Sequence, residues 1–232
     1  MAAISLPHLI IVVSGPSGAG KSTLCDRYTQ TERNAELVIT ATTREPRTTE
    51  ADGVDYHFLD RPEFERRIRD EEFLQWAEVH GNYYGSPLAE VHRLHSQGKD
   101  VILEIDVQGG LNVQRRFPSA LLIYVTPSDL QELFRRLRGR ATETAEQIQR
   151  RIANARKELL QLPHYDYVLF NDNLDTALGR WGEIIRSEKL RIGRYQRETL
   201  VDRFIKGAER LRDSIVVAPA PQSDSGDRRN AC

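Results

Sequence analysis

The sequence is poor in cysteine, in long apolar runs and in net charge. Its 232 residues include two cysteines, Cys25 and Cys232, whose separation indicates neither a disulfide framework nor a metal-binding motif. The longest apolar run, residues 9–13, is far shorter than the ~20 residues that span a bilayer. A formal net charge of −1 provides no basic field that would favour nucleic acid or a membrane surface. We therefore expect neither a nucleic-acid-binding protein nor a membrane protein.

The two ends of the chain differ in composition from its middle. The first residues, MAAISLPH, lack a basic segment and a long apolar stretch, so we expect no secretory signal and a reducing, cytoplasmic compartment. Residues 216–232 are rich in Pro, Ser and Asp, which predicts a disordered tail.

Short apolar runs alternate with long helical patterns. Four runs predict buried strands: HLIIVVSG, DVILEIDVQ, ALLIYVTP and DYVLFND. Three segments predict helices: SDLQELFRRLR, TAEQIQRRIANARKELLQL and DTALGRWGEIIRSEKLRIGRY. Strands that alternate with helices indicate a parallel sheet with helices on both faces, and therefore an α/β fold.

Residues 40–98 interrupt this alternation. They contain the polar stretch TTREPRTTEADG and two short strand-like pieces, VDYHFL and FLQWAEV. A helix is predicted to begin with Ser86 as N-cap and Pro87 as its first residue, and to end at Gly98. We interpret this segment as an inserted, mixed α/β subdomain with a site of its own.

The stretch GPSGAGKS matches the pattern G-x-x-x-x-G-K-[ST] at every defined position. Glycines let the backbone wrap around a phosphate, a lysine reaches the β- and γ-phosphates, and the last hydroxyl can ligate Mg²⁺. Because the motif lies between a predicted buried strand and a helix, it predicts a nucleoside triphosphate site, of the P-loop NTPase type. The predicted ATP-binding residues of this loop are Gly15, Pro16, Ser17, Gly18, Ala19, Gly20, Lys21, Ser22 and Thr23.

Two acidic residues lie near the carboxyl end of the second predicted strand. Glu104 and Asp106 are two residues apart, so we expect both on one face of that strand. Carboxylates at this edge of an open α/β sheet can hold Mg²⁺ through water or orient a substrate hydroxyl. Capping or salt bridging is the alternative role, and it is a stronger alternative for Glu104 than for Asp106.

Arginines form two clusters outside the glycine-rich loop. Arg44 and Arg47 lie three residues apart in the polar stretch, without helical counter-charges nearby. The second cluster consists of Arg136, Arg138, Arg140 and Arg151. Because a guanidinium group binds phosphate oxygens in bidentate fashion, one cluster can bind an acceptor phosphate while the other neutralises the transferred group.

Seven motifs in order give the chain a close resemblance to a known family. They are SGPSGAGKST, TTREPR, GVDYHF, EVHGNYYGSP, LEIDVQG, RLRGRATET and NDN, and the match runs from about residue 9 to residue 190. The chain resembles the guanylate kinases, which transfer the γ-phosphoryl group of ATP to GMP. The resemblance implies a P-loop core (8–39, 99–130 and 146–213), a nucleoside monophosphate-binding subdomain (40–98) and a lid (131–145).

The resemblance also implies roles for individual residues. Catalytic roles fall on Lys21, Arg44, Arg136, Arg140 and Arg151. The implied GMP-binding residues are Thr40, Arg44, Arg47, Tyr56, Gln75, Tyr84, Ser86, Glu104 and Asp106. Of these, Arg44, Arg47, Tyr56 and Tyr84 match the residues that hold the GMP phosphate. Asn171 matches a residue near the adenine, and Mg²⁺ is implied as cofactor, held by Ser22 and, through water, by Asp106.

The chain departs from the family at the residues expected to read the base. Gln75 stands where the family usually has a glutamate, and an amide offers only one acceptor group. Thr40 replaces a serine and keeps its hydroxyl. We expect GMP and dGMP to remain acceptors, with weakened affinity.

Two alternatives stay open at this point. One is a related small-molecule kinase on the same fold whose acceptor has changed with Gln75. The other is a non-catalytic interaction module, although such modules usually have a degraded phosphate loop and here Lys21 and Ser22 are present. The expected partners are ATP and GMP, and the chain is expected to be a monomer or a homodimer.

Overall fold

The computed structural model describes residues 6–79, 81–138, 145–195 and 197–216; within these, the side chains of 137, 138, 145–148, 150, 151, 197–200 and 213–216 are not described. The fold is α/β, as predicted, with nine strands and eight α-helices in the described part of the chain. The strands are β1 (Ile10–Ser14), β2 (Ala35–Leu37), β3 (Ala41–Thr42), β4 (His57–Phe58), β5 (Phe73–Val79), β6 (Asn82–Pro87), β7 (Asp100–Glu104), β8 (Leu121–Thr126) and β9 (Tyr167–Phe170). The helices are α1 (Lys21–Thr31), α2 (Arg61–Arg69), α3 (Leu88–Ser96), α4 (Val107–Arg116), α5 (Leu130–Arg138), α6 (Ala145–Leu159), α7 (Leu174–Leu190) and α8 (Arg197–Val216).

Five parallel strands form the main sheet, in the order β2-β7-β1-β8-β9. Alternate residues of its apolar strands point to opposite faces. Ile11 and Val13 join one core cluster, together with Leu24 of α1 and Trp181 of α7, whereas Val12 joins the cluster on the other face. The sheet is therefore covered on both faces, which explains why its central strands are continuous apolar runs.

A second, four-stranded sheet lies within the segment predicted to be an insertion, in the order β4-β3-β6-β5. Its own small core contains Ala41, Phe64 and Phe73. Helix α3, which follows this sheet, buries Val91 and Leu94 in the core cluster of the main sheet. The segment is thus anchored to the main sheet through α3.

The prediction that Ser86 caps a helix is wrong. Ser86 lies inside β6, pairs with Gln75 of β5 and is 1% exposed. Pro87 is the N-cap residue, and α3 begins at Leu88. The Ser-Pro pattern resembles a helix start, but pairing between β5 and β6 extends the strand through both residues.

The prediction that Glu104 and Asp106 share one face of a strand is also wrong. Strand β7 ends at Glu104, and Asp106 is the N-cap of α4. Its side chain accepts a hydrogen bond from the backbone N–H of Gly109 at 2.7 Å. Asp106 therefore caps α4 with one of its two carboxylate oxygens, Oδ1.

The last predicted helix is shorter than its sequence pattern suggested. Helix α7 ends at Leu190, and α8 follows as a separate helix from Arg197. Contacts within the chain separate two compact units, Met1–Leu190 and Arg191–Cys232, so this boundary falls inside the predicted core segment 146–213. The predicted tail lies outside the described residues from 217 onward. No helix in the described ranges is long and apolar enough to cross a membrane.

Candidate active site

The glycine-rich loop joins β1 to α1 and carries three glycines with positive φ angles. Gly15, Gly18 and Gly20 have φ angles of 142°, 85° and 83°. The backbone N–H of Ala19 donates to the carbonyl of Pro16 at 3.1 Å and closes the turn. Gly20 is the N-cap of α1 and provides no capping side chain, so the first N–H groups of the helix stay available to an anion.

Gly15 allows an especially close approach of the loop to β8. A Cβ atom at this position would lie 2.0 Å from the carbonyl oxygen of Val125, and the φ angle of 142° is one that only glycine adopts readily. We expect Gly15→Ala to lower the free energy of unfolding by at least about 2 kcal/mol. Urea denaturation measures this loss.

A matched control is Gly179→Ala. No atom lies within 4 Å of a Cβ at Gly179, which is in the interior of α7, so alanine there should stabilise the helix by about 0.5–1 kcal/mol. Equal stability of the two variants would contradict the assigned role of Gly15.

The ammonium group of Lys21 is hydrogen-bonded to the backbone of the glycine-rich loop. Its Nζ atom donates to the carbonyls of Gly15 at 2.7 Å and of Pro16 at 3.3 Å. Burial lowers the pKa of Lys21, and the carboxylates of Glu104, Glu158 and Asp106 oppose that change. The ammonium group is thus held in the loop among acidic side chains, at the place where phosphates are expected.

Ser22 is the other functional side chain at the start of α1. Its hydroxyl donates to Oε1 of Glu104 at 2.7 Å. Burial raises the pKa of Glu104, while the Ser22 hydrogen bond and the Lys21 charge lower it. The structure therefore joins Ser22 to Glu104, a residue for which the sequence had suggested a role in GMP binding. Hydroxyl and carboxylate oxygens are ligands that Mg²⁺ accepts.

Asn171 follows β9 and packs against the glycine-rich loop. It is 6% exposed, and its Nδ2 donates to the carbonyl of Ala19 at 2.9 Å. Arg136 of α5 donates from Nη1 to the carbonyl of Asn171 at 3.1 Å and from Nε to Glu132 at 2.7 Å. Asn171 therefore contacts the glycine-rich loop directly, and Arg136 is joined to it through Asn171.

Arg44 is held firmly in the turn that follows β3. Its Nη2 pairs with Oε1 of Glu50 at 2.9 Å, and its Nη1 donates to the carbonyl of Glu45 at 2.7 Å. Burial would lower the pKa of Arg44, but Glu50 and the Tyr84 hydroxyl outweigh it and the pKa is raised. The guanidinium group lies 5.3 Å from the ring centroid of Tyr56. Arg44 thus has a fixed position beside both tyrosines.

Arg47 shares the same carboxylate but leaves its side chain in solvent. Oε2 of Glu50 accepts from the backbone N–H of Arg47 at 2.8 Å, while the Arg47 side chain is 73% exposed. Its Nη1 atom lies 3.9 Å from Glu50. The rings of Tyr56 and Tyr84 stand edge to face, 6.2 Å apart. Arg44, Tyr56 and Tyr84 therefore form one cluster, to which Arg47 is linked through Glu50.

Gln75 lies where the second sheet meets α4. It is 8% exposed, and its Nε2 donates to Oγ of Ser86 at 3.2 Å. A Cβ atom on Gly109 in the first turn of α4 would lie 2.7 Å from Oε1 of Gln75. Thr40, just before β3, is half-buried, and its carbonyl accepts from His57 at 2.9 Å. Gln75 and Ser86 are therefore in direct contact, close to the N-terminus of α4.

A pocket of about 360 Å³ adjoins Gln75 and is lined mainly by residues of β5 and α4. Its lining includes Gln75, Trp76, Asn112 and Arg116, and none of the four residues predicted to hold the acceptor phosphate. β5 is an edge strand of its sheet, and Arg116 donates to its Phe73 carbonyl at 3.1 Å. Because the phosphate-binding candidates are absent from its lining, this pocket is not assigned to the acceptor phosphate.

Three residues of the site were missed by sequence reasoning in the roles that the structure gives them. Glu50 holds both Arg44 and Arg47, Gly109 leaves room for Gln75, and Glu158 lies near enough to Lys21 to affect its pKa. Glu50 follows Arg47 by three residues, and Gly109 opens a glycine pair after Gln108, so both had a weak local signal.

Arg140 and the side chain of Arg151 lie outside the described residues, and their predicted roles stay predictions.

Comparison with protein families gives one match that covers most of the chain. The family model described as guanylate kinase matches residues 8–188. A guanylate kinase from Clostridium perfringens is 40% identical over 205 residues, which cover 88% of this chain and 95% of that protein. One from Caldanaerobacter subterraneus is 44% identical over 186 residues, covering 80% of this chain and 90% of that protein.

A solved structure agrees with these sequence relatives. The crystal structure of guanylate kinase from Anaplasma phagocytophilum matches with a TM-score of 0.71 and 29% identity. The match covers 86% of this chain and 97% of that one. The likeness therefore extends over both sheets and the helices between them, beyond the glycine-rich loop alone.

Proposed function

The chain belongs to the guanylate kinase family, whose members transfer a phosphoryl group from ATP to GMP, and we propose that its own residues divide this reaction between two anion sites. The donor site consists of the glycine-rich loop with Lys21 and Ser22. The acceptor site consists of Arg44, Arg47 and the two tyrosines for the phosphate, with Thr40 and Gln75 for the base. The activity itself follows from the family; the assignment of residues is the proposal.

One observation carries the assignment. Gln75 of the second sheet packs against Gly109 in the first turn of α4, and α4 follows β7, whose last residue Glu104 accepts the hydrogen bond of Ser22 in the donor loop. The second sheet, which carries Tyr84, therefore meets the main sheet beside the donor loop. Two anionic nucleotides bound at these sites would have their phosphates close together, with cationic side chains on both sides.

The reaction requires no covalent bond between the protein and the transferred group. The attacking atom is an oxygen of the GMP phosphate, which is already anionic, so no general base is required. Lys21 and Arg44 would screen the repulsion between the two nucleotides and orient them in line. This explains why the site is rich in cations, and why its tyrosines can serve as neutral donors.

Guanylate kinases generally need a divalent metal, and we assign Mg²⁺ to Ser22. The Ser22 hydroxyl would be its protein ligand, with Asp106 contributing through water and Glu104 already in contact with Ser22. When bound with ATP, the ion would neutralise charge on the donor phosphates.

Arg136 is hydrogen-bonded to the carbonyl of Asn171, and from this position it would reach the donor nucleotide. We assign Arg140 and Arg151 to the lid by resemblance.

The proposal is tested by measuring ADP release in a coupled assay with ATP and one acceptor at a time: GMP, dGMP, AMP, CMP or UMP. We expect turnover with GMP and dGMP and at least about 10²-fold lower efficiency with the others, because a buried hydrogen-bonding site rejects bases that leave its groups unpaired. AMP used as well as GMP would indicate a changed acceptor. No turnover with any acceptor would indicate a non-catalytic module.

A further inference from the structure

The side chain of Gln75 is more deeply buried than that of Thr40, the other residue expected to read the base. Gln75 is buried, whereas Thr40 is half-buried. The Nε2 atom of Gln75 donates to Ser86, while Oε1 accepts no hydrogen bond from any residue that the structure describes. A primary amide has one carbonyl oxygen, so whichever way it turns it offers a base at most one acceptor group.

The surroundings of Gln75 restrict how this amide can adapt. Ser86 holds it on one side, and the first turn of α4 meets it on the other, where Gly109 leaves just enough room for Oε1. The nearest carboxylate on that turn, Asp106, uses Oδ1 to cap the helix through the N–H of Gly109 at 2.7 Å. Contacts on both sides therefore restrict the position of this amide.

Two purine bases that carry an oxygen on C6, guanine and hypoxanthine, differ in the number of hydrogen-bond donors that they present to such a site. Guanine presents two neighbouring donors, N1–H and the 2-amino group, whereas hypoxanthine presents N1–H alone. Oε1 of Gln75 can accept from N1–H in both bases. It leaves the 2-amino group without an acceptor of its own, so that group adds little to recognition.

We propose that this enzyme also phosphorylates inosine monophosphate, because Gln75 makes the 2-amino group of the base dispensable. The inference rests on the proposed acceptor site, and it extends the substrate class to 6-oxopurine nucleotides with or without that group. The transfer is the same one: the bond between the γ-phosphorus of ATP and the bridging oxygen breaks. A new bond forms to an oxygen of the IMP phosphate, giving ADP and IDP.

The test compares kcat/KM for GMP and IMP in the wild-type enzyme and in Gln75→Glu. In the wild type we expect IMP to be used within about 10-fold of GMP, since one acceptor serves both bases equally. Gln75→Glu supplies a second, charged acceptor, so the preference for GMP over IMP should rise by about 10- to 100-fold. AMP should remain a poor acceptor, because its unprotonated N1 would face Oε1.

Gln97→Glu is the matched control, since it makes the same chemical change at an exposed position after α3 and should leave the ratio unchanged. A wild-type preference for GMP above about 100-fold would overturn the inference, because another group must then accept from the 2-amino group. An unchanged ratio in Gln75→Glu would overturn it as well. Loss of GMP turnover in the wild type would contradict the proposed acceptor site instead, so the two failures are distinguishable.

Discussion

A Lys21→Met variant is expected to lose about 10²- to 10³-fold in kcat for phosphoryl transfer to GMP, because it removes a preorganised positive charge from the transferring group. Nζ of Lys21 is bound to the carbonyls of Gly15 and Pro16 and sits near Glu104. These groups hold the ammonium in place. ATP phosphates would provide stronger partners at the same position.

Methionine keeps most of the length of the lysine side chain and removes only the charge. The measurement is kcat at saturating ATP and GMP, with ATP affinity determined separately by calorimetry. Lys206→Met, at an exposed position on α8, is the control and should keep wild-type turnover. Wild-type kcat in Lys21→Met would show that the lysine does not act on the transferring phosphate.

The conformation of the glycine-rich loop could be predicted from sequence, because it depends mainly on neighbours in the chain. Positive φ angles at Gly15 and Gly20 and a helix that begins at Lys21 follow from eight consecutive residues. The apolar strand before them and the helix after them have strong local patterns. Nothing distant is needed to place the loop at the carboxyl end of β1.

The acceptor site could be predicted only in part, because its geometry depends on residues far apart in sequence. Ser86 satisfies the rules for a helix N-cap, yet β-pairing with Gln75, eleven residues earlier, places it in a strand. Asp106 follows the strand pattern of Glu104, yet the helix that starts at Val107 takes it as a cap. In both cases a long-range or competing local interaction outweighed the nearest-neighbour pattern.

Glu50 illustrates what neither pattern nor motif predicts. The carboxylate holds the Arg44 guanidinium with one oxygen and the backbone of Arg47 with the other. A hydrogen bond from the Arg47 backbone, followed by the Arg44 contact, lowers the pKa of Glu50 despite partial desolvation. Glu50 therefore holds the turn in the form that places Arg44 beside Tyr56, so binding a phosphate there would need little rearrangement of the turn.

Arg44→Met should raise KM for GMP by about 10- to 100-fold, the cost of losing a charge-assisted, bidentate contact to phosphate. The KM for ATP should change little, because the donor loop is formed by other residues. Arg44 is the stronger choice for this test, since its side chain is 19% exposed and its position is fixed by Glu50, Glu45 and Tyr84. The Arg47 side chain, 73% exposed, has more freedom and should show a smaller effect.

The matched control for Arg44→Met is Arg67→Met. Arg67 belongs to the same segment and is also paired with carboxylates, through Nε to Glu63 at 2.8 Å, but it lies on α2 among other charged side chains. If loss of an ion pair alone disturbed the subdomain, both variants would raise KM for GMP alike. An effect confined to Arg44→Met would mean that phosphate recognition was lost. An unchanged KM for GMP in Arg44→Met would contradict the acceptor site, since in the described part of residues 40–98 no other guanidinium group is found over the ring of Tyr56.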